Sequence, residues 1–166
     1  ERRYSQEQEV TSFEENLKMS WGKIPTGVGV LTTLEKNGNV HGITINSFFS
    51  LSIKEPSILV SISKSAASHE LIVKNGKFGF SVLNSDQKEY AEFFSLEDKE
   101  SVPNNFELVT IEEDIYVIKN SLIQFSCKLN YMTSISDHTL FAANITKVDS
   151  NDSSPLVWYR SNFFDF

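Results

Sequence analysis

The sequence predicts a mainly β domain: an antiparallel barrel with an N-terminal helix and two short helices. Six or more stretches alternate apolar and polar side chains, most can be joined as hairpins, and only two short helical stretches interrupt them. The 166 residues, 40% hydrophobic and including 13 Phe, suit one domain spanning 1–166. A chain of this size buries about 70% of the surface its unfolded form exposes, so it needs neither disulfides nor a structural metal.

Residues 6–21 space Val10, Phe13, Leu17 and Trp21 by three or four, with acids early and Lys18 late, which reads as an amphipathic helix forming the N-terminal 1–20 segment. Pro25-Thr26-Gly27 ends it, and the period then drops to two. Val28 to Thr33 is a strand, Asn37-Gly38 a hairpin turn, and Val40 opens the return strand. There Ile43, Ile45, Phe49, Leu51 and Ile53 share one parity, Thr44, Asn46, Ser50 and Ser52 the other, with Ser47-Phe48 breaking phase as a bulge would, and Pro56 ending the strand. Ser57 to Ser63 alternates again, followed by a short helix from a serine cap, Ser65 or Ser68, to Asn75-Gly76. Phe78, Phe80 and Val82 make a further strand, and Asn84-Ser85-Asp86-Gln87 opens a helix holding Tyr90, Phe93 and Phe94. Residues 95–106 form a polar, acidic connector. Ile123 to Tyr131 is the cleanest strand, and Leu140 to Val148 and Leu156 to Tyr159 add two more.

Charge and cysteine usage exclude several function classes. Fifteen Lys and Arg against 22 Asp and Glu leave a net charge of -7, which repels phosphate backbones and argues against nucleic acid. Cys127 is the single cysteine, so no internal disulfide forms, and no CxxC or His/Cys cluster offers a metal site. A reducing cytoplasm is the expected location. No window approaches the roughly 18 apolar residues of a membrane span, and Glu1-Arg2-Arg3 is not followed by the apolar run of a signal peptide.

The chemistry concentrates between Gly42 and Lys64, where two neighbouring strands each carry a face of small hydroxyls and one amide. Such a face lines a hydrogen-bonding ligand or is the solvated side of an antiparallel sheet, and periodicity alone leaves both open. Ser63-Lys64-Ser65-Ala66-Ala67-Ser68 sets a cation and three hydroxyls before a helix start, a setting for a phosphate or simply a serine cap beside a solvated lysine. Gly27-Val28-Gly29 lacks the third glycine of a dinucleotide fingerprint, and no GxSxG, Walker or HExxH pattern occurs. His41 follows a hairpin turn and reads as solvated, His69 as surface or partly buried, and His138 stands beside Asp137, which could orient it or be only part of a turn. Cys127 shares the apolar parity of its strand and reads as inert.

The run Pro25-Thr26-Gly27-Val28-Gly29-Val30-Leu31-Thr32-Thr33, then Gly42-Ile43-Thr44-Ile45-Asn46-Ser47-Phe48 through Leu51-Ser52-Ile53-Lys54-Glu55-Pro56, resembles the flavin reductase-like family of FMN-binding split barrels. Phe78 to Leu83 with Gln87 and Phe93-Phe94, Phe125-Ser126-Cys127, Ser136-Asp137-His138 and Pro155-Leu156-Val157 resemble later family motifs in order, so the likeness covers about residues 20–160. It implies an antiparallel Greek-key split barrel and a homodimer. It also implies that Thr44, Ile45, Asn46 and Ser47 border an isoalloxazine ring, that Ser61, Ser63, Lys64 and Ser68 approach the ribityl chain and phosphate, that Phe94 lies near the flavin, and that His138 stands on the nicotinamide side. Ser136 replaces the usual glycine, Ser81 the usual asparagine and Glu55 the first of two prolines.

The function so implied is an NAD(P)H-dependent flavin reductase, with FMN preferred over FAD and NADH or NADPH as co-substrate, that passes reduced flavin to a monooxygenase or another acceptor. Two other readings accompany it: a non-catalytic FMN-binding carrier or redox sensor, and an oxidase of the pyridoxamine phosphate type. The resemblance disfavours the second, because the 42–56 motif belongs to the reductase branch.

Overall fold

The computed structural model describes residues 2–99 and 101–166, and the side chains of the first helix from Ser12 onward; Val10 lies outside those side chains. Twelve strands follow or surround three helices: α1 (Arg2–Trp21), β1 (Thr26–Gly27), β2 (Gly29–Leu34), β3 (Val40–Ile45), β4 (Phe48–Ser52), β5 (Ser57–Ser63), α2 (Ala67–Asn75), β6 (Lys77–Val82), α3 (Lys88–Phe94), β7 (Leu108–Glu112), β8 (Ile115–Ile118), β9 (Ile123–Ile135), β10 (His138–Ser150), β11 (Val157–Tyr159) and β12 (Asn162–Phe164).

Seven of them form one antiparallel sheet in the order β3-β2-β6-β9-β10-β5-β4. Its two edges, β3 and β4, are consecutive in the chain and joined only by Asn46-Ser47. Two residues reach no more than about 10 Å between their flanking neighbours, so the edges must meet there and the sheet must roll up. The edges do not pair with each other, so the roll has an unladdered seam. Phe48, on one edge, touches Phe80 of the interior strand β6, ring centroids 4.8 Å apart. What looks like a bulge at Ser47-Phe48 in sequence is thus the corner at which the strand leaves one edge for the other. The same corner explains why Phe49, Leu51 and Ile53 do not continue the buried parity of Ile43 and Ile45: they are exposed, Ile53 by 84%.

Leu31, Val60, Ile62, Phe78, Phe80, Cys127 and Phe141 fill the roll, with Ile72 of α2 packed against them. Val28, Val30, Leu83, Ala91, Phe94, Ile118 and Leu156 form a second core under α3. Val30 and Leu31 are adjacent in β2 and point to opposite faces, so β2 is buried on both. The hairpin β7–β8 closes over β6; a Cβ on Gly79 would stand 1.8 Å from the Tyr116 carbonyl oxygen, so only glycine permits that approach. This hairpin, within the 95–122 segment that matched no family motif, and β12 were not anticipated from sequence.

Local signals fared unevenly. Gly38 (φ 84°) turns the β2–β3 hairpin, Gly76 (φ 63°) caps α2, and Asn84 with Gln87 forms a reciprocal capping box. The N-cap of α2 is Ala66, whose methyl side chain cannot accept a cap bond; of the two serines expected there, Ser65 pairs with Ser63 and Ser68 with His41. Helix α1 is longer than its apolar spacing suggested, and Phe13, Leu17 and Trp21 are exposed by 67%, 45% and 64%, so its apolar stripe finds no cover within the chain. Among the described residues no helix is long and apolar enough to cross a membrane.

Candidate active site

The corner between β3 and β4 builds the site. Thr44, near the end of β3, donates its hydroxyl to the Ala91 carbonyl of α3 at 2.7 Å, fixing the strand end against that helix. Ser47 and Ser61 lock reciprocally: the Ser61 N–H donates to the Ser47 carbonyl at 3.0 Å, and the Ser47 hydroxyl donates to the Ser61 carbonyl at 2.8 Å. Thr44, Ile45 and Asn46 line a cleft of about 310 Å³ together with Val28, Ser95, Trp158 and Phe163. Trp158 and Phe163 pack edge to face, centroids 4.8 Å apart, and give the cleft an aromatic wall opposite its polar strand end. Sequence reading missed Trp158, Phe163 and Ser95; the aromatics of the C-terminal strands were the available signal.

Further along β5 stands a second polar group. The Ser63 and Ser65 hydroxyls are 2.9 Å apart, and the Ser65 N–H donates to Ser63 Oγ. Strand β10 pairs β5 in the register His138↔Ser63, which sets the Ser136-Asp137-His138 turn beside Lys64. Lys64 spans the two turns twice: its backbone N–H donates to the Asp137 carbonyl at 2.9 Å and its Nζ to the Ser136 carbonyl at 2.6 Å. Asp137 Oδ1 lies 2.9 Å from His138 Nδ1, and that hydrogen bond is the main reason its carboxyl sits below the usual carboxylate range. Ser136 takes φ 54°, the left-handed conformation for which the usual glycine is suited, so the substitution keeps the turn. Lys64 and His138, assigned by resemblance to the phosphate and nicotinamide ends, are therefore neighbours.

Two further residues expected at the site, Ser68 and Phe94, are buried. Ser68 is 1% exposed, its hydroxyl 2.9 Å from His41 Nε2, while His41 Nδ1 lies 3.5 Å from Glu35 Oε1. His41 is therefore not solvated as its hairpin position suggested; burial, then the charge of Lys99, lowers its pKa against the opposing pull of Glu35. Phe94 is 1% exposed in the second core, its ring so close to Gly42 that a Cβ there would come within 2.6 Å. Neither Ser68 nor Phe94 lines the cleft. His69 is partly buried against the Thr139 hydroxyl at 2.7 Å, and Cys127 is fully buried, its thiol pKa pushed far upward by burial. Among the described residues no group of three or more His, Cys, Asp or Glu is placed to hold a metal.

Among the described residues this region brings together a cleft walled by Trp158 and Phe163, a hydroxyl-bearing strand corner and a cationic turn. Residues 21–166 match the flavin reductase like domain. The chain is 33% identical over 141 residues to the NADH-dependent flavin reductase StyB of Pseudomonas fluorescens, covering 83% of this chain and 81% of that one. It is 30% identical over 150 residues to an NADH-dependent flavin reductase of a Rhodococcus species, covering 89% and 84%. Among solved structures it superposes on the styrene monooxygenase flavin reductase of Pseudomonas putida S12 with a TM-score of 0.84 at 30% identity, covering 91% of this chain and 97% of the other. The flavin reductase PheA2 gives the same TM-score at 32% identity, covering 92% and 97%. This chain belongs to the flavin reductase like domain family and is a flavin reductase enzyme.

Proposed function

We propose that the protein takes hydride from a reduced nicotinamide, NADH in preference, onto FMN held along the seam, and hands reduced flavin to a partner monooxygenase. When bound, the flavin supplies the redox chemistry, while the protein supplies position and electrostatics. The observation that carries the reading is the reciprocal Ser47–Ser61 bonding, which ties the strand end that lines the cleft at Thr44, Ile45 and Asn46 to β5, the strand that leads to Ser63 and Lys64. An apolar and aromatic pocket with a few convergent polar groups suits a planar heteroaromatic ring with a polar edge. Thr44 through Ser47 would hold that edge by backbone and side-chain groups. Lys64 would meet the phosphate as a point charge, with the Ser63 and Ser65 hydroxyls beside it. His138, oriented by Asp137, would dock the dinucleotide next to the same turn. The names of StyB and the Rhodococcus relative favour NADH, and the styrene monooxygenase reductase and a trigonelline monooxygenase reductase component 27% identical to this chain favour a monooxygenase acceptor.

The proposed assembly is a homodimer. Phe48, Phe49, Ile53, Ile58, Ile145 and Val148 contribute to an apolar surface cavity of about 480 Å³ on the β4 side of the roll, while the stripe of α1 stands uncovered. A second copy of the chain would cover such apolar area. Anaerobic mixing of the flavin-loaded protein with NADH or NADPH, followed by the flavin's visible absorbance, tests the catalytic reading.

A further inference from the structure

The first turn of α2 grips two strands through consecutive residues. Ser68 meets His41 of β3, and His69 has its Nε2 2.7 Å from the Thr139 hydroxyl of β10. His69 also packs edge to face on Phe141, centroids 5.3 Å apart. Thr139 and Phe141 lie on the buried face of β10, 3% and 0% exposed, and neighbouring residues of a strand point to opposite faces. His138, the first residue of β10, therefore presents its ring on the other face, where its side chain is 45% exposed. His69 holds β10 from the core side at the residue that follows His138.

This contact closes a loop of hydrogen bonds around the cationic turn. The His69 N–H donates to the Ala66 carbonyl at 3.0 Å, the Ala66 N–H to the Ser63 carbonyl at 3.1 Å, and the Lys64 N–H to the Asp137 carbonyl at 2.9 Å. From Asp137 the chain runs through His138 to Thr139 and so back to His69. The ladder pairs His138↔Ser63 and His138↔Ile135 hold the start of β10 within the plane of the sheet. The His69 bond adds a directional tie across that plane, to α2.

We infer that His69 is a positioning residue for the nicotinamide side: by holding Thr139 it sets where His138 stands, without itself touching cofactor or substrate. The inference rests on the proposed role of His138 and adds to it a partly buried residue of α2. Small displacements of a group that docks a reactant are costly, so a tie one residue away from it has a kinetic consequence.

His69→Ala and Thr139→Val each break the bond from one side, whereas His69→Gln keeps a group that can pair with the hydroxyl. The readout is the parameter that His138→Ala alters, KM for NADH or the rate of flavin bleaching. His69→Ala and Thr139→Val should each worsen it about three- to tenfold, and His69→Gln should stay within about twofold of the wild type. Because both changes act on one bond, the double variant should cost no more than either alone. Because that bond acts through His138, His69→Ala should add nothing in a His138→Ala background, a result that general loosening of the fold does not give. Should His69→Ala fail to fold, Thr139→Val, which keeps the side chain's shape, carries the same test. Wild-type kinetics in both single variants, or an equal loss with His138 present and absent, would overturn the inference alone. Wild-type kinetics in His138→Ala would instead overturn the nicotinamide assignment, and this inference with it.

Discussion

Lys64 donates its side-chain nitrogen to the backbone carbonyl of Ser136, 72 residues away, at 2.6 Å. The bond ties the turn after β5 to the turn before β10, and it makes the proposed phosphate position and the proposed nicotinamide position parts of one structure.

Lys64→Ala should weaken FMN binding about ten- to a hundredfold, since a charge-assisted contact is worth roughly 1.5 to 3 kcal/mol. Riboflavin, which lacks the phosphate, should bind almost as it does to the wild type. Fluorescence titration with the two ligands in parallel separates the outcomes: equal losses would show that Lys64 supports the site only through Ser136.

His138→Ala should leave flavin affinity nearly unchanged and raise the KM for the nicotinamide, or slow flavin bleaching, about ten- to a hundredfold, as for the loss of one contact of roughly 1.4 to 2.7 kcal/mol. Asp137, freed from the hydrogen bond that depresses its pKa, should at the same time titrate closer to the ordinary aspartate range. Stopped-flow bleaching with both nicotinamides checks the first expectation, and unaltered kinetics would remove His138 from the site.

Glu112 gives a pH dependence of stability. Its carboxylate accepts from the Ser126 and Thr146 hydroxyls, which holds its pKa below the ordinary glutamate value of about 4.3. A pKa depressed by folding means the stabilisation is complete above the unfolded value and is lost as pH falls through the folded one. Wild-type melting temperature should therefore fall on acidification below about pH 4.3. Glu112→Gln should melt lower at neutral pH and show a shallower acid limb. Parallel acid limbs for the two proteins would rule out a stabilising role for the carboxylate.

Light scattering at micromolar concentration should give twice the 18.8 kDa mass of one chain. Charged substitutions at the cavity, such as Phe49→Asp, should shift the mass toward the monomer. A monomeric wild type would leave the apolar cavity and the α1 stripe without the proposed cover.

The parts of this architecture legible in the sequence were local ones. The alternation of Ser57 to Ser63, the turn at Asn37-Gly38, the Asn84–Gln87 box and the Gly76 cap each depend on neighbours within a few residues, and each stands as read. Long-range partners were not legible. His41 reads as solvated until Ser68, 27 residues on, is found against it, and that same bond occupies the Ser68 hydroxyl. Phe94 fits the family's motif, and its ring packs in the core over Gly42. The adjacency of Lys64 and His138 follows from the β5–β10 register, which no stretch of either strand encodes alone. Thr26 stands opposite Trp158 because strands from opposite ends of the chain pair, and their spacing in sequence carries no trace of it.

The most direct test of the central claim is anaerobic: purified protein loaded with FMN, mixed separately with NADH and NADPH, and followed at the visible flavin band. Full bleaching with NADH, slower bleaching with NADPH, and return of the band on admitting oxygen is the predicted result. Bound FMN that keeps its absorbance with both nicotinamides would contradict the account.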